Sequence, residues 1–233
     1  MPTAGIEWVK VKWVYDGDTL KLTDQRKVRI IGIDTPETAH LRYRKQKAEP
    51  YAGQATEALR ELLARQHYKV AIQPGKQRFD RYGRLLAHVF TPQGVNVSQW
   101  LLRQGLATSL IIPPNSGHLA CYHKAEQSAQ RKQLNIWKLK SHQLKKTTDL
   151  NKRFSGYVRL QGTVKRVKRR KNKISIKLDH QVYITIKQPD LKLFRNLDVS
   201  HLKGKTVQVT GILYRHGEKA FIRVRHPVYL VTK

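Results

Sequence analysis

Short stretches of alternating apolar and polar residues open the chain and return in its last third, with helical periodicity between them. Trp8 to Val14, Thr19 to Leu22 and Val28 to Ile33 are β-type runs separated by Asp16-Gly17-Asp18 and Asp24-Gln25-Arg26. This spacing and turn chemistry predict a tightly connected antiparallel meander with carboxylates at the strand ends. From Gly53 to Leu63, Ala55, Leu59, Leu62 and Leu63 fall on one face at helical spacing, which predicts an amphipathic helix. Val97 to Gln104 and Leu119 to Leu134 predict two more helices, and Tyr68 to Ile72 and Leu85 to Phe90 two more strands.

Residues 138 to 152 have little apolar periodicity and read as a basic linker. Beyond them the pattern is again β, over Gly156 to Val167, Ile174 to Leu178, Val182 to Ile186, Thr206 to Leu213 and Ala220 to Val231. Five strands, with a short helical piece around Leu191 to Leu197 after the third, suit a small closed barrel of the OB type. The expected organisation is a first domain over 1–137, a linker over 138–152 and a second domain over 153–233. The fold class is mainly β with helices.

Charge changes the picture. The chain of 233 residues carries 46 Lys and Arg against 16 Asp and Glu, a net charge of +30. Such a balance suits a polyanionic partner. Residues 153 to 233 hold 20 Lys and Arg against four acids. No apolar run approaches the roughly 20 residues needed to span a bilayer. Self-repulsion of this charge argues for a monomer. Cys121 is the only cysteine, so no intrachain disulfide forms, and it reads as a buried small hydrophobe on a helix. The first residues lack the basic start and apolar core of a secretory signal, and Met1-Pro2-Thr3 is equally compatible with a removed leader.

Against this basic background the carboxylates are informative. Up to Trp137 there are eleven, and five lie in Asp16-Gly17-Asp18-Thr19, Arg29 to Glu37 and Asp80-Arg81-Tyr82-Gly83-Arg84. A surface built for phosphate gains nothing from carboxylates unless they hold a metal. Each motif alone has a plainer reading: an ordinary turn, a helix cap at Asp34-Thr35-Pro36-Glu37, outward-facing arginines. Their joint occurrence favours a site for phosphodiester hydrolysis. Glu37 suits the proton acceptor, because Pro36 restrains the backbone beside it. Arg29 and Arg84 offer planar forks of donors to phosphate oxygens. Asp16 and Asp80 read as turn residues. His118 and His123 are five apart, off the spacing that would place both on one zinc. Lys165 to Lys173, including Lys168, Arg169, Arg170 and Lys171, reads as a nucleic-acid-binding loop, and Lys45-Gln46-Lys47 as a solvated face. Tyr157, Tyr183 and Tyr214 are candidates for base stacking or for core packing.

Five motifs in order, the three above with Arg103-Gln104-Gly105-Leu106-Ala107 and Leu134-Asn135-Ile136-Trp137, resemble the thermonuclease family typified by staphylococcal nuclease, over roughly residues 8 to 137. The resemblance implies an OB-type five-stranded barrel with three helices and a Ca²⁺-dependent nuclease acting on DNA and RNA, leaving 3′-phosphate ends. It implies Asp18 and Asp34 as calcium carboxylates, Thr35 as a carbonyl ligand, Glu37 as general base, and Arg29 and Arg84 as phosphate clamps. Tyr82, with Arg81, falls to substrate binding. Where the family type carries two tyrosines that pack on a base, this chain reads Thr108-Ser109-Leu110-Ile111-Ile112-Pro113-Pro114-Asn115. The second barrel is an addition, similar to the extension of some bacterial relatives, with Arg225-His226-Pro227 near its end. The competing expectation is a noncatalytic nucleic-acid-binding protein on the same fold, and oxygen ligands also leave Mg²⁺ or Mn²⁺ open. Few protein ligands imply weak calcium binding, in the roughly 10⁻⁴ to 10⁻³ M regime of extracellular modules, and hence a secreted or periplasmic location.

Overall fold

The computed structural model describes residues 5–39 and 47–233, so most of the basic stretch at 41–50, with Lys45 and Gln46, lies outside the described residues. The chain divides into two compact units, Met1–Lys138 and Leu139–Lys233.

In the first unit the strands are β1 (Glu7–Val14), β2 (Thr19–Leu22), β3 (Lys27–Ile30), β4 (Gly32–Asp34), β5 (Lys69–Phe79), β6 (Leu85–Phe90) and β7 (Thr108–Leu110). The helices are α1 (Ala52–Ala64), α2 (Val97–Gln104) and α3 (Leu119–Arg131). Five strands close a barrel in the order β1-β2-β3-β6-β5, with β3 and β6 parallel and the other pairs antiparallel. Closure leaves no open edge. Leu20, Leu22, Val28, Val70, Ile72, Ala87 and Val89 fill it, all 0% exposed.

The predicted strand over Val28 to Ile33 is in fact two. Gly32 has φ +91°, and a Cβ there would stand 2.2 Å from Cε2 of the buried Tyr122. Only glycine fits, so the chain turns after Ile30, and β4 leaves the barrel to pair with β7. The strand predicted to end at Ile72 runs on to Phe79. Asn115 supports the extension: its Oδ1 accepts the Gln77 N–H at 2.9 Å and its Nδ2 donates to the Gln77 carbonyl at 2.9 Å.

The second unit contains β8 (Leu144–Lys146), β9 (Gly156–Arg170), β10 (Lys173–Leu178), β11 (Val182–Lys187), β12 (Thr206–His216), β13 (Lys219–Arg223) and β14 (Leu230–Thr232). β9, β10, β11, β13 and β12 close a second ring, because β12 also pairs with β9. Here too the third and fifth strands, β11 and β13, are parallel and the rest antiparallel. Both barrels therefore share one strand order, 1-2-3-5-4 in each barrel's own numbering. The turn between strands one and two is Asp16-Gly17-Asp18 in the first and Lys171-Asn172 in the second.

Two expectations in this unit change. The stretch 138 to 152 is no free linker: β8 lies parallel to β9, and the following 3₁₀ turn Thr147–Asp149 is pinned where the buried Thr147 hydroxyl bonds Asp179. Gly162 makes room, since a Cβ there would meet Thr147 Cγ2 at 2.7 Å. The last predicted strand breaks at Pro227, which opens a 3₁₀ turn capped by His226 before β14.

Candidate active site

Three segments of the first unit build the site. In the β1–β2 turn, Asp16 Oδ1 accepts the Asp18 N–H at 3.0 Å, an Asx turn that fixes the bend. Gly17 lets the next segment approach, since a Cβ there would lie 2.8 Å from Thr35 Cγ2. Asp18 is thereby buried. Its Oδ1 accepts from the Thr19 hydroxyl at 3.0 Å, and its Oδ2 from the Thr35 N–H and hydroxyl, each at 3.1 Å.

Arg29, opposite Thr19 on β3, ties this carboxylate to the next. Its Nη2 stands 2.9 Å from Asp18 Oδ2 and 2.8 Å from Asp34 Oδ1, while Nη1 donates to the carbonyls of Ile30 and Ile33 at 2.9 and 2.8 Å. Two carboxylates thus converge on one point occupied by a single cationic nitrogen. Burial pushes Asp18 up, against the pull of Arg29 and with the help of Asp16. Burial also pushes Asp34 up to about 6, opposed by Arg29 and reinforced by Asp18 and Glu49. The Asp34 side chain keeps 40% exposure, so water moderates its shift.

The third segment is the β5–β6 hairpin. Asp80 Oδ1 accepts the N–H groups of Tyr82 and Arg84 at 2.9 and 3.0 Å, and Oδ2 accepts Arg84 Nε at 2.7 Å. Burial raises the Asp80 pKa, but these donors outweigh it and hold the carboxyl below its usual range. Arg84 is thereby aimed with Nη1 3.5 Å from Thr19 Oγ1. Arg81 lies over the Tyr82 ring at 4.7 Å and Arg84 at 5.5 Å. Tyr82 itself is 67% exposed at the rim.

Glu37 is exposed, and its backbone is tied to Glu49 in both directions at 2.9 Å, by its own N–H to Glu49 Oε2 and by the Glu49 N–H to its carbonyl. Sequence reasoning missed Glu49, whose role depends on a fold-back of twelve residues. It also missed Thr108, paired with Asp34 across β4 and β7 and donating to its carbonyl at 3.4 Å. Glu126 was likewise unread: buried on α3, it accepts the Ser109 N–H and hydroxyl at 2.7 Å each and fixes β7.

Asp18, Asp34, Thr35 and Arg29 are therefore in mutual contact, and Arg84 reaches them through Thr19. Lys168, Arg169 and Arg170 lie exposed at the end of β9 and Lys171 in the adjoining turn, all in the second unit. There Tyr183 and Tyr214 stack on either side of Phe221 at 5.2 and 5.5 Å, and Tyr157 stacks on His142 at 4.7 Å. His118 packs its ring on His88 at 4.8 Å, while His123 contacts Gln127; Cys121, expected buried, is exposed on α3, whose inner face is taken by Tyr122, Ala125, Glu126 and Ala129.

Among the described residues no three His, Cys, Asp or Glu side chains gather as a metal cluster. A cation at this point would have the two carboxylates and water. That all-oxygen, incomplete set fits a hard ion such as Ca²⁺, which takes about 6 to 8 oxygens, and the convergence on Arg29 Nη2 shows that both carboxylates can address one positive charge.

An OB barrel with paired carboxylates and two arginines, one on β3 and one at the β5–β6 hairpin, defines a nuclease-type domain. A family model described as "Staphylococcal nuclease homologue" matches residues 27–139. The chain is 37% identical over 131 residues to the thermonuclease of Staphylococcus intermedius, covering 54% of this chain and 74% of that one. It is 34% identical over 140 residues to the thermonuclease of Staphylococcus hyicus, covering 59% and 79%, and 34% identical over 126 residues to endonuclease YncB of Bacillus subtilis (strain 168), covering 52% and 57%. The chain belongs to the staphylococcal nuclease homologue family.

Proposed function

We propose that this protein is a Ca²⁺-dependent nuclease that hydrolyses phosphodiesters of DNA and RNA and leaves 3′-phosphate ends. The observation that carries this reading is the convergence of Asp18 and Asp34 on one point beside Arg29, in a chain of net charge +30. Weak ligation of this kind suits a compartment with millimolar calcium, outside the cytoplasm.

Asp18, Asp34 and the Thr35 carbonyl would hold the ion, which when bound supplies Lewis-acid stabilisation of the charge building on phosphate oxygen. The chain's own groups do the rest. Glu37 takes the proton of the attacking water as its oxygen bonds to phosphorus. The bond to the 5′-oxygen breaks, and that oxygen collects a proton from solvent. Arg29 and Arg84 donate to the equatorial oxygens, where the developing charge makes each hydrogen bond stronger than in the ground state. Asp80 keeps the Arg84 fork aligned, and Tyr82 stands ready to donate to a neighbouring phosphate.

The test is release of acid-soluble nucleotides from single-stranded DNA in millimolar Ca²⁺ against EGTA, with Glu37→Ala and Arg84→Ala beside the parent. Cleavage that requires calcium and falls by about 10² or more in both variants is expected. Tight binding without cleavage in calcium, magnesium or manganese would make the chain a binding module.

A further inference from the structure

β1 carries an unusual outer face. Trp8, Trp13 and Tyr15 are 48%, 58% and 40% exposed, whereas Val11 and Val14 point into the barrel at 4% and 3%. A register shift between Val11 and Trp13 lets Lys12 and Trp13 both face outward, so Trp8, Lys10, Lys12, Trp13 and Tyr15 share one side of the strand. Two lysines therefore stand between Trp8 and the pair of rings Trp13 and Tyr15 along it. Each ring also has a cation from a neighbouring segment near its face: Lys69 over Trp8 at 5.3 Å, Arg60 over Trp13 at 5.8 Å and Lys27 over Tyr15 at 5.3 Å. Glu7, the one acid on this strand, is already paired with Arg26.

Register connects this strip to the catalytic arginines. The Tyr15 N–H donates to the Thr19 carbonyl at 2.9 Å, Thr19 is paired with Arg29, and Arg84 reaches the Thr19 hydroxyl. One row thus runs from Tyr15, just past the end of β1, through the buried Thr19 to Arg29 on the side of the sheet away from the barrel core. The next row is Trp13, Lys21 and Lys27, through the pairs Trp13 with Lys21 and Lys21 with Lys27.

We propose that the outer face of β1 is an extended subsite for single-stranded nucleic acid, which leaves the catalytic arginines at Tyr15 and runs over Trp13 to Trp8. Bases stack on the three rings, and the interleaved lysines and Arg60 take the phosphates. Flat rings accept any base, so the strip gives grip without sequence preference. From Trp8 to Tyr15 the strand spans about 23 Å, in keeping with the roughly 4-nucleotide lower limit of single-strand sites on such barrels. The proposal rests on the nuclease reading above.

The test is fluorescence anisotropy with fluorescein-labelled oligothymidylates of 3 and 12 residues in EGTA, with DNA cleavage in calcium measured in parallel. Parent, Trp13→Ala, Trp8→Ala/Trp13→Ala, Trp13→Phe and the exposed control Val231→Ala are compared, after circular dichroism and thermal melting show equal folding. Loss of about tenfold in 12-mer affinity is expected for Trp13→Ala and more for the double variant. Trp13→Phe should stay within about threefold, since the ring is kept, and Val231→Ala should match the parent. The gain in affinity from 3-mer to 12-mer should vanish in the double variant. A double variant that binds the 12-mer as the parent does overturns the strip while leaving cleavage, and so the nuclease reading, intact. A parent that neither binds nor cleaves overturns both. Loss of binding to phosphatidylserine vesicles with unchanged 12-mer affinity would assign the strip to a membrane surface and overturn the proposal.

Discussion

Arg29 does two jobs with one guanidinium: two donors anchor it on the carbonyls of Ile30 and Ile33, and the remaining contacts bridge Asp18 and Asp34. A divalent ion must compete with this bridge and with protons. Asp34, raised to about 6 from an ordinary 3.8, binds protons more readily folded than unfolded between those values. Its contribution to the stability of the ion-free protein is therefore present below pH 3.8 and lost as pH rises through 6. On the proposed reading calcium affinity would run the other way, because the ion would need the carboxylate. The thermal shift given by millimolar Ca²⁺ over EGTA should be small at pH 5, full by about pH 7.5, and absent in Asp34→Asn. Equal shifts at both pH values would show that Asp34 is not a ligand. The sequence made Asp18, Asp34 and Arg84 visible because scarce acids stood beside arginines at turn positions. Glu49 and Thr108 left no such mark, since their relevance arises only from how segments fold back on 34–37.

Elements read well where burial alternates cleanly, as in β10, and poorly where a single neighbour overrides the pattern. The apolar run Val28 to Ile33 reads as one strand, yet Tyr122, ninety residues on, forces a break at Gly32. That break sends Asp34 out of the barrel and toward Asp18. Gly32→Ala must relieve both a positive φ and a ring clash, so a loss of roughly 3 kcal/mol or more is expected in urea unfolding. Cleavage should fall with it as Asp34 is displaced. A loss below about 0.5 kcal/mol, the range of ordinary surface changes, would mean that Tyr122 swings aside freely. The stretch 138 to 152 failed as a linker for the same reason: its lysines masked one buried threonine, Thr147, that fastens it to Asp179.

At the scale of the molecule, the charge balance announced a polyanionic partner. Residues 139–233 form a unit of their own, so removal should begin at Leu139, which takes β8 away with its partner strand. In the truncated protein KM for long single-stranded DNA should rise about tenfold at 0.15 M salt, because the second unit no longer tethers the strand, while Ca²⁺-dependent cleavage persists. The salt slope of log affinity should also become shallower, by about 0.7 for each phosphate that the second unit neutralises in the full-length protein. An unchanged KM and slope would remove the second barrel from substrate binding.

Both barrels bend the chain between their first and second strands at the same place in the same strand order, but Asp16-Gly17-Asp18 makes that bend negative in one, while Arg170-Lys171-Asn172-Lys173 makes it positive in the other. On the proposed reading, a nucleic acid would shed monovalent counterions at the positive bend, while the carboxylates beside the negative bend would hold a divalent one. The two bends would answer to different agents: monovalent salt would weaken the first, and chelation would empty the second.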